Sequence, residues 1–264
     1  MQTIIAPTDF SKKSLNAVNY AADMAMELHA RLLILHAVEM PFKAGGVYEE
    51  PTDDEIEVEK KLSKLKDDLV KKTANKVPIH TSRVIGFIET EIVKICEYKK
   101  PLAVVMATQG ARIKEHFFVG SITVHLSKNL KYPVIVIPPN VRYKPIKKIL
   151  LATDLENLSS FPVENITAIV TAFNAKLDIV HVYKNNDRFE TMEARMRTLY
   201  NSLIDLNPRF HFIKSKNVYK AITNFAQENK EDIILTFPHK HVLFYKSQSK
   251  QLIFNSPVAV MSIQ

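Results

Sequence analysis

Residues 102–137 read LAVVMATQGARIKEHFFVGSITVHLSKNLKYPVIVI, and the fold turns on this segment. It opens with an apolar run, Leu102–Met106, set off by Pro101, and closes with another, Val134–Ile137. Runs this short, bounded by turn-forming residues, read as buried strands. Between them lies a polar loop punctuated by Gly110 and Gly120, then an amphipathic segment headed by Gly120-Ser121. Strand, glycine loop and helix in that order offer free backbone N–H groups and the positive end of a helix to an anion. Ser121 adds a hydroxyl at the mouth. The expected occupant is the phosphate group of a nucleotide.

Outward from this segment the same alternation continues toward the N-terminus. Residues 2–7 (QTIIAP) predict a first strand ending at Pro7-Thr8-Asp9. Ser11 is placed to cap a helix running to about His29, with Leu15, Val18, Ala22 and Met26 at helical spacing. Residues 31–38 (RLLILHAV) form a near-continuous apolar strand, as expected where both faces of a parallel sheet are covered. A loop with Gly45-Gly46 leads into a long charged helix over about 53–74, whose alternating charges read as a solvated face. A strand at 77–85, a turn at Gly86 and a helix at 88–99 complete the run up to Leu102; the segment itself supplies a helix over about 120–129 and a fifth strand at 133–138. Strands alternating with helices predict a parallel, doubly wound α/β sheet.

Beyond a linker, Pro138-Pro139 and the short NVRYKP stretch, the pattern starts again. Residues 148–154 (KILLATD) echo 3–9 (TIIAPTD), and 177–182 (LDIVHV) echo 32–37 (LLILHA). Asp232-Ile233-Ile234-Leu235 echoes the fourth strand, and 256–260 (SPVAV) echoes 132–136 (YPVIV). The copies differ in chemistry. All five glycines of the chain lie in the first copy; the second has Phe237-Pro238-His239-Lys240-His241 at the place of the loop and Lys246-Ser247 where Gly120-Ser121 stood. Proline removes a donor, and a Cβ resists the positive φ and close backbone approach that a phosphate cradle uses. The second copy is therefore expected to complete the fold as an internal partner and not to bind a triphosphate.

Composition narrows the class. With 46% hydrophobic residues and 24% charged ones, the chain reads as soluble and globular. No apolar stretch approaches the roughly 20 residues of a membrane helix. The start, MQTIIAPTDF, lacks the basic head and long apolar run of a signal peptide. The single cysteine, Cys96, excludes an internal disulfide and fits a reducing cytoplasm; on the apolar side of its helix it reads as an inert core thiol. The formal net charge of +8 raises nucleic acid as a partner, but the lysines are interleaved with acids, as in EKKLSKLKDDLVKK, without an arginine-rich tract. No nucleic-acid partner and no membrane is expected.

Taken together, the repeat, the Pro-Thr-Asp end of the first strand and the glycine spacing resemble the universal stress protein family, in tandem, over nearly the whole chain. Nucleotide-binding members carry G-x-x-G, nine residues and G-[ST] after the fourth strand. Here the pattern reads Ala107-Thr108-Gln109-Gly110, nine residues, Gly120-Ser121, with alanine for the first glycine, which narrows one close approach and is expected to lower affinity. The resemblance implies two domains, 1–140 and 146–264. Each would be a Rossmann-like, adenine-nucleotide alpha-hydrolase-like five-stranded parallel sheet flanked by helices, and the two would pair through their fifth strands as an intramolecular pseudo-dimer. It implies that Pro7, Thr8 and Asp9 lie under an adenine nucleotide such as ATP and that Ala37 touches the adenine. Gly110, Gly120, Ser121 and Thr123 would hold the phosphates, with Met106, Ala107 and Ile122 completing the set. Asp9 would meet the ribose or a magnesium ion bridging to the phosphates.

Other residues have plainer readings. His36 and His181 lie within apolar strands and read as satisfied core histidines, not catalytic bases. Asp154 reads as a helix cap or loop acceptor. His239 and His241 have no acid or cysteine at zinc spacing. Arg112 and Lys114 sit in the loop, where they either meet the ligand or are solvated, and Tyr219, Phe225 and Phe237 read as core of the second copy. No Walker A, G-x-G-x-x-G or G-x-S-x-G sequence occurs, and no catalytic set can be assembled. The expected function is that of a cytoplasmic stress-response regulator that binds adenine nucleotide and is not an enzyme. The alternatives are a nucleotide-free module for an unknown protein partner and a slow ATPase; two such chains pairing as a homodimer is a further option.

Overall fold

The computed structural model describes residues 1–38, 53–108, 121–156, 158–184, 189–237, 251–253 and 255–264. The first half runs β1 (Thr3–Pro7), α1 (Lys12–Glu27), β2 (Arg31–Val38), α2 (Asp53–Lys72), β3 (Ile79–Ile85), α3 (Ile88–Lys99), β4 (Ala103–Ala107), α4 (Ser121–Asn129) and β5 (Val134–Ile137). The second half runs β6 (Lys148–Ala152), α5 (Val163–Ala172), β7 (Lys176–Tyr183), α6 (Phe189–Ser202), β8 (Arg209–Lys214), α7 (Val218–Glu228), β9 (Ile233–Thr236) and β10 (Ala259–Ser262).

The ten strands among the described residues share one sheet, in the order β3-β2-β1-β4-β5-β10-β9-β6-β7-β8. Every neighbouring pair is parallel except the central one, where β10 runs antiparallel to β5. Val136 stands opposite Val260 and Ile135 opposite Met261, all of them buried. An apolar edge is an association hazard; here each half covers the other's.

Helices cover both faces, which is why the strands are almost continuously apolar. One face carries a single core across the sheet, from Ile4 and Ala21 to Ile166, Leu199 and Ile263. The opposite face has two cores, one built on Ile92, Leu126 and Val136, the other on Leu150, Ile222 and Ile234.

Of the expected apolar face of α1, Val18 and Ala22 are fully buried, but Leu15 is half-buried and Met26 exposed; Ala17, Ala21, Ala25, Tyr20 and Met24 are buried as well. Small side chains let the helix sit close to the sheet, and Asn16 is buried with them because its amide holds the linker. Its Nδ2 donates to the carbonyls of Pro138, Pro139 and Val141, and Arg142 donates to its Oδ1. Tyr143 donates to Glu27, so the linker is docked along α1.

The last strand also differs from the sequence echo. Val104 pairs Val134 and its counterpart Ile234 pairs Val260, so Val260 and not Val258 answers to Val134. A slip of two residues keeps every side chain on its original face, so the apolar pattern does not register it. Gly86 has φ +125°, and a Cβ there would meet nothing nearer than Glu91 at 3.7 Å; backbone conformation is what calls for glycine.

Candidate functional site at the carboxyl edge of the first half

The strand order reverses between β1 and β4, the neighbouring pair from which the crossovers lead off in opposite directions. Open α/β sheets bind ligands in the crevice beyond the carboxyl ends of such strands. Pro7 ends β1, buried, and pairs Leu35. Thr8 is buried, and its backbone N–H donates to the Leu35 carbonyl at 2.8 Å. The chain then turns sharply: Phe10 has φ +60°, a strained conformation for a bulky residue. Two short bonds hold the turn. Phe10 N–H donates to Thr8 Oγ1 and Ser11 N–H to Asp9 Oδ1, both at 3.0 Å. Ser11 caps α1 by accepting from Ser14 N–H, and the Thr8 and Ser14 hydroxyls lie 3.0 Å apart.

His36, near the end of β2, bears on this turn from beside it. Its Nδ1–H donates to the Thr8 carbonyl at 2.8 Å, and its ring lies 4.6 Å from that of Phe10. The Lys61 ammonium of α2 stands 5.9 Å over the Phe10 ring. The contribution of Phe10 and Lys61 was not legible beforehand, since it depends on a contact between residues 51 positions apart. Ala37 follows His36, half-buried, paired to Val84.

On the β4 side, Met106 and Ala107 end the strand, both buried. Thr123 is buried, and its hydroxyl donates to the Ala107 carbonyl at 3.1 Å, tying α4 to β4. Ile122 is half-buried against the core of that face. The structure thus brings Pro7, Thr8, Asp9, Met106, Ala107 and Thr123 to the carboxyl ends of adjacent strands. Gly110 and Gly120 lie outside the described residues, as do Gly45, Gly46, Arg112 and Lys114; Ser121 begins α4, with its side chain outside the description.

The second half repeats four of these turn bonds. Thr153 N–H donates to the Val180 carbonyl, Leu155 N–H to Thr153 Oγ1, Glu156 N–H to Asp154 Oδ1, and His181 Nδ1–H to the Thr153 carbonyl, with Leu155 at φ +59°. Asp154 is therefore a loop acceptor. The strained turn and its histidine belong to the fold and do not by themselves mark a ligand. What differs is the filling. Register matches Ala107 to Phe237, whose buried ring meets Phe161 edge-to-face at 4.4 Å. Helix α5 begins later than α1, behind a 3-10 turn at Leu158–Ser160, with Pro162 at its cap and no side-chain bond there. His239, His241, Lys246 and Ser247 lie outside the described residues.

Cys96 is buried, and burial pushes its thiol up to about 12, so it stays protonated and inert. Among the described residues no cluster of three or more His, Cys, Asp or Glu could hold a metal, and no helix is long and apolar enough to cross a membrane.

The family model of the universal stress proteins matches residues 1–138. The chain belongs to the universal stress protein family. A universal stress protein of Methanocaldococcus jannaschii is 35% identical over 140 residues, 51% of this chain and 80% of that protein. The likeness of fold extends further. The crystal structure of a universal stress protein from Archaeoglobus fulgidus covers 99% of this chain and 98% of its own, with a TM-score of 0.74 at 20% identity. A functionally unknown protein from Pseudomonas aeruginosa covers 100% of this chain and 92% of its own, with a TM-score of 0.61 at 13% identity. At those identities the similarity is one of fold, that of a universal stress protein with helices on both faces of a mostly parallel sheet.

Proposed function

We propose that the chain binds ATP or a related adenine nucleotide at the carboxyl edge of β1 and β4, and acts as a nucleotide-responsive regulator in the cytoplasmic stress response. The observation that carries this reading is the contrast at one position: Ala107 ends β4 beside the Thr8–Asp9 turn, and the matching Phe237 is packed against Phe161. The phosphates would lie against the backbone from Gly110 to Gly120-Ser121, with Thr123 positioning the helix behind them. Ala37 would meet the base. Asp9 would face the ribose, or a magnesium ion held by one carboxylate together with phosphate oxygens, a donor set that suits this cation. Magnesium would neutralise phosphate charge there.

The nucleotide is read as bound and not turned over. Asp9 Oδ1 accepts from Ser11 N–H, a bond that serves to hold the turn. The antiparallel β5–β10 pair supports reading residues 1–140 and 146–264 as two family domains closed into a pseudo-dimer.

Isothermal calorimetry of the full chain with ATP, with and without magnesium, tests the proposal. One nucleotide per chain is expected, together with a thermal stabilisation that grows with ligand, about 2.7 kcal/mol at a hundredfold excess over Kd. A flat titration at millimolar ATP would leave the fold serving a protein partner alone. Phosphate release that persists through purification and vanishes in Asp9→Asn would make the chain an ATPase.

A further inference from the structure

The second half buries two carboxyl groups, Asp178 and Glu231, where the first half has Leu33 and Pro101. Asp178, on β7, stands opposite Arg209 of β8 and is 1% exposed. Arg209 Nη2 donates to one carboxylate oxygen and His211 Nε2–H to the other at 2.6 Å, and the His211 ring lies 4.6 Å from that of Phe225 on α7. Glu231, two residues before β9, is likewise 1% exposed. Its backbone N–H donates to the Ala226 carbonyl of α7 at 2.8 Å, yet neither carboxyl oxygen has a hydrogen-bond partner among the described residues.

The charged groups that act on Glu231 are Lys148 on β6, Asp178 on β7, Arg209 on β8, and Asp232 beside it in the chain. All are engaged elsewhere. Lys148 Nζ donates to the Asn229 carbonyl at 2.8 Å, and Arg209 is bonded to Asp178. Asp232 accepts from the Lys147 and Lys148 backbone N–H groups and pairs Lys144 at 2.7 Å. At the matching positions the first half has Leu33, His80, Ser82 and Pro101, so the fold does not require this cluster.

A buried carboxyl without a donor, beside a second carboxylate, favours its neutral form. We propose that Glu231 is a proton-responsive element of the second half, held as the neutral acid in the packed structure, and that its ionisation loosens the seating of α7 against β7–β9. Burial, reinforced by Asp178, pushes the Glu231 carboxyl up to about 7, while Lys148 and Arg209 oppose the shift. An ordinary glutamate titrates near 4.5, so the folded chain holds a proton that the unfolded chain has lost. The stabilisation is complete below that value, declines as pH rises through the window and is gone above about 7.

Urea unfolding of the full chain from about pH 5 to about pH 8, wild type against Glu231→Gln, tests the proposal. The wild-type folding constant is expected to fall at least ~10-fold more than that of the variant across this range. Hydrogen exchange in α7, corrected for intrinsic rates, is expected to speed up with pH in the wild type alone. Superimposable pH profiles, or α7 protection that ignores pH in both proteins, would overturn it. Should the variant fail to fold, carbon-13 NMR of the wild-type Glu231 carboxyl decides: a midpoint near neutrality supports the proposal, and one in the ordinary carboxylate range overturns it.

Discussion

Gly120→Val is expected to lower the affinity for ATP by about two orders of magnitude or more, with little change in unfolding of the nucleotide-free chain. A phosphate on a glycine loop is held by backbone N–H groups, each bond to a charged group being worth about 1.5–3 kcal/mol. A β-branched side chain between Gly110 and Ser121 would keep the phosphates from that backbone. Losing two such bonds amounts to about 3–6 kcal/mol, and each 1.4 kcal/mol is tenfold in Kd. Calorimetry on the variant checks this, with the urea midpoint of the free protein as the control for folding. An unchanged Kd would mean that any nucleotide is held elsewhere.

Val136→Asp is expected to have the largest effect on stability. Val136 lies at the antiparallel joint opposite Val260, and both are fully buried. A carboxylate there would lose its water without gaining a partner, and the apolar contact across the joint would be lost too. The combined cost is about 3–5 kcal/mol or more, a large share of the roughly 5–15 kcal/mol that holds a typical domain together. Urea unfolding should show a much lower midpoint, and small-angle scattering an expanded chain. A wild-type midpoint would show that the joint contributes little.

Much of the fold was legible because its signals are local. The apolar runs of β1, β2, β4 and β5, the Ser11 cap, Gly86 and the repeated Thr-Asp ends are all properties of short windows. What escaped depends on pairs far apart in the chain. Asn16 looks like an ordinary helical polar residue until the linker carbonyls arrive beside it. The two-residue slip of β10 is invisible to a pattern of period two. Asp178 sits in an apolar strand, and nothing nearby announces Arg209 and His211, which arrive from β8, or Glu231, which precedes β9. At the candidate site the sequence marks the strand ends Pro7–Asp9 and Met106–Ala107, which the structure brings together, whereas its glycines lie outside the described residues and register was needed to set Ala107 against Phe237.

The asymmetry between the halves is tested most directly by amide chemical shifts recorded as ATP and magnesium are added to the full chain. Shifts at Thr8–Ser11, Ala37, Thr108 and Thr123, with Thr153–Glu156 and Phe237 unmoved, are the expected result. Shifts centred on the second turn, or none in either half, would contradict it.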